Sequence, residues 1–217
     1  MQHPPLYLLS GLCADERLFK FLRLHHPSPL VIQWVTPDRQ DTMASYAQKL
    51  RQQIVPGQEP PILIGLSFGG MVIQEMAKQM PVKRLILLSS LTNTQELPWH
   101  YQWAGAVHMQ KWLPLGWFKS WVGPASWVFG AKSKEERQIL ASILQETDTP
   151  FLRWSLTQIL HWRHKASPEK TVAIHGTQDK VLPVPDFPNL HLLPGGEHLM
   201  VMSRAQEVSD LINRYLK

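Results

Sequence analysis

Ten consecutive residues, Pro61 to Gly70 (PILIGLSFGG), constrain this chain of 217 residues more than any other stretch. They begin with a continuous apolar run, which indicates a strand that is covered on both faces. The chain then turns sharply through residues 65–69 (GLSFG), and Met71 to Lys78 follow with a helical pattern. The stretch therefore predicts a buried strand, a tight turn with a serine at its tip, and a helix, in that order.

A G-x-S-x-G pattern between a strand and a helix is typical of a nucleophile elbow. We expect strained backbone at Ser67, and we expect Gly65 and Gly69 because side chains there would clash where strand and helix approach. The helix that follows would direct free amide groups and its positive dipole end at an oxyanion formed beside Ser67. A glycine-rich turn without a chemical role is the alternative, because so short a pattern also occurs by chance.

Composition restricts the class of protein and its compartment. The apolar fraction is 44% and the net charge is +5, but no run of five or more lysines or arginines occurs, so nucleic acid is not a predicted partner. Cys13 is the single cysteine, so an intrachain disulfide is impossible. The first residues lack the basic region of a signal peptide, and no stretch reaches the roughly 18 apolar residues of a membrane span. A cytoplasmic protein without stable membrane insertion is the expectation.

Strand and helix patterns alternate along the first 91 residues and again after residue 168. This alternation predicts a three-layer α/β/α sandwich around a mostly parallel sheet of about six strands. Besides the strand that precedes Ser67, the predicted strands are Leu6–Leu9, Leu30–Val35, Arg84–Ser90, Thr171–His175 and Leu190–Leu193. The predicted helices outside the elbow are Asp15–Leu22, a segment from Asp41 or Thr42 to about Ile54, and Leu199–Leu216.

The alternation stops between residues 92 and 167, where no clear strand pattern occurs. We interpret the chain as a single domain, 1–217, whose core is 1–91 and 168–217 and whose helical cap is 92–167. Eight of the nine tryptophans fall in this cap segment. They either build the core of a small lid or face the serine and line an apolar pocket, and both can hold. Either reading argues against a highly charged substrate.

Serine is a weak nucleophile at neutral pH and needs a base in hydrogen-bond reach, which in turn needs an orienting carboxylate. In a parallel sheet these groups are expected on loops beyond the carboxyl ends of strands. Three such loops carry Ser67, Asp179 and His198. Their order along the chain, serine then acid then histidine, is the order typical of elbow-bearing sheets.

These motifs together resemble the α/β-hydrolase family. The matching pieces are residues 65–69 (GLSFG), 176–183 (GTQDKVLP), 195–198 (GGEH) and 10–19 (SGLCADERLF). The resemblance implies that Ser67 is the nucleophile, that His198 is the general base and acid, and that Asp179 holds the imidazole tautomer. It further implies an oxyanion hole made by the backbone N–H groups of Leu12 and Phe68.

One departure from the family pattern lies at the oxyanion loop. Family members often carry His-Gly there, whereas this chain carries Ser10-Gly11. A backbone amide is the donor, so the role of Leu12 can survive the change. The side-chain support of the loop must, however, differ from that of those members.

Each proposed site residue has an alternative. Asp179 could merely cap a turn, with Asp186 as the rival acid, although Asp186 follows two prolines and lies further from the strand end. His198 could cap the last helix instead of acting as a base. His175 lies inside a strand pattern and is interpreted as a core histidine.

The remaining candidates are weaker. His161 and His164 are expected on one helix face, but two histidines without a carboxylate or cysteine at ligand spacing do not predict a metal site. Cys13 is interpreted as a packing residue, because no base is assigned to it. No glycine-rich loop matches a phosphate-binding pattern, so no cofactor is expected.

The sequence therefore predicts a serine hydrolase that acts on a small, mostly apolar carboxylic ester or thioester as its partner molecule. The same fold and residues could instead serve a lyase or perhydrolase, because function is determined by the site and not by the fold. A small-molecule receptor that uses the same pocket is the alternative from another class. The sequence leaves the oligomeric state open.

Overall fold

The computed structural model describes residues 3–57, 59–97, 101, 121–166 and 169–216. The strands are β1 (Leu6–Leu9), β2 (Leu30–Val31), β3 (Ile62–Leu66), β4 (Arg84–Leu88), β5 (Thr171–Gly176) and β6 (Leu190–Leu193). They form one sheet in the order β2-β1-β3-β4-β5-β6, and every neighbouring pair is parallel. The predicted α/β architecture with six strands is confirmed.

Helices lie between most of these strands. The α-helices are α1 (Met43–Arg51), α2 (Phe68–Ala77), α3 (Val122–Phe129), α4 (Lys134–Glu146), α5 (Thr149–His161), α6 (Met200–Ser203) and α7 (Ala205–Asn213), and short 3-10 helices span Glu16–Phe19 and Thr94–Glu96. The helical segment 122–161 is inserted between β4 and β5, which is consistent with a cap. The assignment of 92–167 as one cap within a single domain stays a prediction.

Two hydrophobic cores cover the two faces of the sheet, because successive strand side chains point in opposite directions. One core contains Leu8 and Ile64 together with Val208 of α7 and apolar residues of α4. The other contains Tyr7 and Leu63 together with buried side chains of α1 and α2. β3 and β5 are buried along their whole length, which explains the apolar run that each of them contains.

The second strand is shorter than predicted. Pairing with β1 ends where Ile32 N donates to Leu8 O at 2.8 Å. Beyond this point the backbone is bonded to side chains: Gln33 N donates to Gln53 Oε1 at 2.9 Å, and Tyr46 Oη donates to Val35 O at 2.5 Å. Leu30–Val35 is therefore an extended edge segment of which only two residues belong to the sheet.

Several predicted helices also differ in extent. The segment expected as a helix over Asp15–Leu22 is a single 3-10 turn, and the helix expected to reach Ile54 ends at Arg51. The elbow helix begins at Phe68 rather than Met71. The last predicted helix is divided into α6 and α7, because Arg204 adopts φ −131° and ψ 34°, which is not helical.

Candidate active site

The loops that follow β3, β5 and β6 bring three polar side chains together at the carboxyl edge of the sheet. His198 Nε2 lies 3.0 Å from Ser67 Oγ, and His198 Nδ1 lies 2.8 Å from Asp179 Oδ2. The Asp179 side chain is fully buried and that of His198 nearly so, whereas Ser67 is partly accessible. The arrangement is a hydrogen-bonded chain that runs from a buried carboxylate to an accessible hydroxyl.

The loop after β6 has to cross the sheet to reach Ser67. Two strands separate β6 from β3, so the two strand ends are about 14 Å apart. A close backbone crossing allows this: a Cβ built on Gly176, at the end of β5, would lie only 2.2 Å from Gly196 O. Gln178 N also donates to Gly196 O at 2.8 Å. The two glycines thus let the His198 loop pass directly over the end of β5.

The turn at Ser67 has the strained backbone that the sequence predicts, with φ 52° and ψ −118°. A Cβ on Gly65 would lie 2.6 Å from Gly70 Cα, so β3 and α2 do approach too closely for a side chain. The reason expected for Gly69 is wrong in detail. A Cβ there would lie 2.2 Å from Ser10 O and 2.5 Å from Leu9 O, so Gly69 makes room for the end of β1 and the residue after it, and not for β3.

Two further residues support the turn and were not singled out from the sequence. Ser90 Oγ donates to Ser67 O at 2.7 Å. A Cβ on Gly70 would lie 2.4 Å from that same Ser90 Oγ. The second glycine of the Gly69-Gly70 pair is the available sequence signal, but it does not say which distant segment packs against it.

Leu12 and Phe68 line the same cavity as Ser67. Phe68 is the first residue of α2, where a helix leaves its N–H groups without intrahelical partners. Leu12 lies in the turn closed by the hydrogen bond from Ala14 N to Gly11 O, and both residues line the cavity above Ser67. Within the described ranges, neither amide donates to a backbone acceptor of the chain.

The structure shows how Ser10-Gly11 is supported. Ser10 is buried, and its Oγ donates to Ala14 O across the loop. Trp34 Nε1 donates to both Ser10 Oγ, at 3.0 Å, and Gly11 O, at 3.2 Å. The Trp34 ring stacks on Phe68 with 5.5 Å between ring centroids. A serine and a tryptophan therefore hold the loop between β1 and the first 3-10 helix.

The Asp179 carboxylate accepts three hydrogen bonds and contacts a second imidazole. Oδ1 accepts from Val181 N at 2.8 Å and Leu182 N at 3.0 Å, and Oδ2 pairs with His198 and lies 3.2 Å from His175 Nε2. Burial alone would raise the pKa of Asp179, but its contacts with His175 and His198 outweigh it and hold the pKa well below its usual range. The carboxylate is thus ionised throughout the neutral pH range.

The sequence does not reveal the contact between His175 and Asp179. It predicts a core histidine at position 175, and His175 is indeed 1% exposed, but its ring also lies against the carboxylate that binds His198. The only sequence signal is its position four residues before Asp179. In a strand, that spacing alone does not reveal whether the two side chains meet.

Glu197 joins the His198 loop to the cap helices. Its carboxylate lies 2.8 Å from Lys180 Nζ and 2.9 Å from Lys132 Nζ, and it is 7% exposed. On the other side of His198, Leu199 N donates to Phe129 O, the last residue of α3, at 2.9 Å. The end of α3 is therefore attached to both neighbours of His198.

Ser67 and His198 open into a cavity of about 420 Å³. This volume is typical of a site for a small molecule. Much of the wall is aliphatic and comes from α4 and α5, with these residues facing the cavity: Leu140, Ile143, Leu144, Leu152, Leu156, Ile159 and Leu160. Lys180 also borders it, but its ammonium group is bonded to Glu197 and to Trp127 O. The described lining favours an uncharged, apolar group.

The tryptophans of the cap have other roles where the structure describes them. None of Trp121, Trp127, Trp154 and Trp162 belongs to the described cavity wall, so for these four the pocket-lining interpretation is wrong. Trp154 packs on Phe151, and its Nε1 donates to Asp41 O at 3.0 Å, which ties α5 to the start of α1. The predictions on the other four cap tryptophans, Trp99, Trp103, Trp112 and Trp117, fall outside the described residues.

The structure favours none of the rival candidates. Asp186 is exposed, and it is Asp179 that contacts His198. α5 ends at His161, so His161 and His164 do not share a helix face as expected. Cys13 does line the cavity, but burial raises the pKa of its thiol to about 12 and keeps it protonated.

Neither a metal site nor a membrane span is found in the described part of the chain. Those residues contain no group of three or more histidine, cysteine, aspartate or glutamate side chains that could hold a metal ion. None of the described helices is both long enough and apolar enough to cross a bilayer.

Comparison with solved structures supports the fold assignment. A hydrolase from Oleispira antarctica, olei00960, superposes with a TM-score of 0.73 at 14% identity, covering 100% of this chain and 92% of that one. A thermophilic esterase from Thermogutta terrifontis gives 0.61 at 18% identity, covering 98% and 89%. An epoxide hydrolase from Bacillus megaterium gives 0.64 at 15% identity, covering 99% and 94%. At such identities the likeness is evidence of the fold alone.

Sequence comparison identifies the family but no curated relative. No curated protein matches the chain significantly. The sequence profile of the Alpha/beta hydrolase family, however, matches residues 10–211, which is most of the chain and includes all three side chains of the hydrogen-bonded chain. The protein belongs to the alpha/beta hydrolase family.

Proposed function

We propose that this protein is a serine hydrolase that cleaves a small, mostly apolar carboxylic ester or thioester through an acyl-enzyme on Ser67. The observation that carries the proposal is the hydrogen-bonded chain from Asp179 through His198 to Ser67 at the wall of an apolar cavity. Esterase and epoxide hydrolase chemistry both occur among the structural neighbours, so the argument rests on these residues rather than on the fold.

The first half-reaction forms the acyl-enzyme. His198 Nε2 accepts the hydroxyl proton while Ser67 Oγ bonds to the carbonyl carbon, and the carbonyl electron pair moves onto oxygen. The amides of Phe68 and Leu12 donate to this oxyanion, and the ionised Asp179 stabilises the imidazolium. When the oxyanion collapses, the bond to the leaving oxygen or sulfur breaks, and His198 transfers its proton to that atom.

The second half-reaction repeats these steps with water. His198 accepts a water proton as the water oxygen attacks the acyl carbon, and Ser67 leaves with the proton returned by His198. Each oxyanion donor is expected to contribute about a hundredfold or more to turnover. The aliphatic wall formed by α4 and α5 would hold the acyl group, since no described cationic side chain is free there to bind a charged one.

Labelling with a fluorophosphonate probe tests the nucleophile. We expect the wild type to gain the mass of one adduct, and we expect no adduct on Ser67→Ala. Cys13→Ala is the matched control, because Cys13 lines the same cavity and its removal should leave labelling intact. A well-folded wild type that stays unlabelled would contradict the proposal and favour the receptor reading.

Turnover of p-nitrophenyl esters with acyl chains of graded length then tests the reaction class. Hydrolysis that is lost in Ser67→Ala by several orders of magnitude is the expected result. Labelling of Ser67 without hydrolysis of any ester or thioester would retain the activated serine but contradict the hydrolase assignment, and would favour a non-hydrolytic reaction.

A further inference from the structure

We propose that His175 is a positioning residue for the reaction: it locks the Asp179 carboxylate in the one orientation that presents Oδ2 to His198. This inference rests on the proposed function of Ser67, Asp179 and His198. His175 does not itself line the cavity; its polar contacts are with Asp179 Oδ2 and with the backbone oxygen of Leu182, a residue of the cavity wall, so an effect on turnover would pass through one of these two residues.

The atoms around His175 Nε2 show that this nitrogen is the donor in its contacts. His175 Nε2 lies 3.2 Å from Asp179 Oδ2 and 3.3 Å from Leu182 O. Both neighbouring atoms are acceptors, so Nε2 carries a hydrogen whether the ring is neutral or protonated. That hydrogen lies within reach of both Asp179 Oδ2 and Leu182 O in either state, so the contact with the carboxylate does not depend on the charge of His175.

A single oxygen of Asp179 thus contacts two imidazoles. Oδ2 lies between His175 and His198, while Oδ1 is occupied by the amides of Val181 and Leu182. Rotation of the carboxylate about its Cβ–Cγ bond would break contacts on both oxygens. Without His175, His198 would be the one partner left on Oδ2 among the described residues, and that residue has to move protons during the reaction.

The surroundings of the ring favour a fixed role over a role as a second base. His175 is 1% exposed, and its Nδ1 has no hydrogen-bond partner among the described residues. Glu96, in the 3-10 helix Thr94–Glu96, is the other acidic group that interacts electrostatically with it, and Tyr101 interacts with Asp179. No path for a proton leads from Nδ1 to the cavity through a described hydrogen bond.

Three substitutions of His175 distinguish the effect of its hydrogen-bond donor from the effect of its side-chain volume. His175→Phe keeps the ring shape but removes the donor. His175→Gln can place an amide N–H near the position of the imidazole Nε2, whereas His175→Asn is polar but too short to do so. We expect kcat to fall about tenfold or more in the Phe and Asn variants, as for loss of one hydrogen bond to a charged group, with KM unchanged. We expect the Gln variant to stay within a few-fold of the wild type.

A double-mutant cycle with Asp179→Ala supplies the decisive comparison. If His175 acts through Asp179, His175→Phe should have little further effect on kcat once the carboxylate is gone. If the fold-decrease in kcat of the double variant equals the product of the two single decreases, His175 acts independently of Asp179 and the proposal is overturned. Wild-type kcat in His175→Phe would overturn it too, as would a Gln variant no better than Asn.

The design remains informative if one variant fails to fold. Comparison of Gln with Asn still tests the donor when Phe is unstable, because both are polar and differ mainly in reach. Failure of the proposed function would be seen separately, as a wild type that is neither labelled by the fluorophosphonate nor active on esters. If the wild type is labelled and the His175 variants turn over esters at the wild-type rate, only the positioning role is rejected.

Discussion

Gly130 lies where the cap meets the His198 loop, and its replacement by alanine tests whether that contact supports activity. Gly130 ends α3 with φ 80°. A Cβ built there would lie 2.3 Å from Glu197 Cβ and 2.8 Å from Glu197 Oε2. The Gly130→Ala side chain would therefore push against the residue that immediately precedes His198.

The expected loss of stability has two components. A left-handed backbone costs an alanine about 1–2 kcal/mol more than a glycine. Overpacking of a filled site typically costs about 1–3 kcal/mol. For a chain of this size each kcal/mol corresponds to a fall in Tm of about 2–4 °C. We expect Gly130→Ala to melt roughly 4–20 °C below the wild type, a range obtained from these per-kcal values.

Activity should fall as well, because relief of the clash displaces Glu197 and with it His198. The assay is the rate of fluorophosphonate labelling at a temperature where both proteins are folded, combined with denaturation followed by circular dichroism.

Gly123→Ala, in the same helix α3, is the matched control. No described atom lies within 4 Å of a Cβ at Gly123, so this change should stabilise by about 0.4–1 kcal/mol and leave labelling unchanged. A Gly130→Ala protein with wild-type Tm and labelling rate would refute the reasoning.

Two other sites give direct expectations. Ser10→Ala leaves Ala14 O without its hydroxyl donor, so it should lower the free energy of unfolding by about 1–3 kcal/mol and slow turnover at unchanged KM. Urea unfolding measures the first effect and ester kinetics the second. An unchanged free energy of unfolding together with unchanged turnover would contradict this expectation. Burial, helped by nearby Lys78, lowers the pKa of His164 from 6.5 to about 4. The folded state then binds fewer protons than the unfolded chain between these values, so this contribution to stability is complete above about pH 6.5 and is lost as the pH falls towards 4. Urea midpoints at pH 7.5 and 5 should therefore differ less in His164→Phe than in the wild type, and an equal difference would show that other groups are responsible.

The parts of the fold that the sequence predicts well are those determined by local pattern. The continuous apolar runs of β3 and β5 are buried on both faces, and the turn at Ser67 has the strain that its glycines indicate. The extent of the edge strand β2 is predicted less well. Leu30–Val35 has a strand sequence, but its last residues are bonded to the side chains of Gln53 and Tyr46, and no local pattern reveals that competition.

The same distinction applies to the candidate site. Residue type and loop position are enough to select Ser67, Asp179 and His198, because parallel strands deliver the residues at their carboxyl ends to one edge. The contact of His175 with Asp179 depends on how the chain turns after β5, and that of Ser90 with Ser67 depends on two segments 23 residues apart. Tertiary packing alone decides such pairs.

The left-handed backbone at Ser67 has a consequence for any attempt to make this protein more heat-resistant. In the described part of the chain, non-glycine residues with positive φ are Cys13, Ser67 and Ser89, and they follow β1, β3 and β4 at the same edge of the sheet. Each such residue costs about 1–3 kcal/mol that a glycine would not. Ser67→Gly would thus relieve strain while it deletes the hydroxyl on which the proposed chemistry depends. A library screened for melting temperature alone would accumulate glycine at position 67, so thermal selection of this protein has to be coupled to a measurement of turnover.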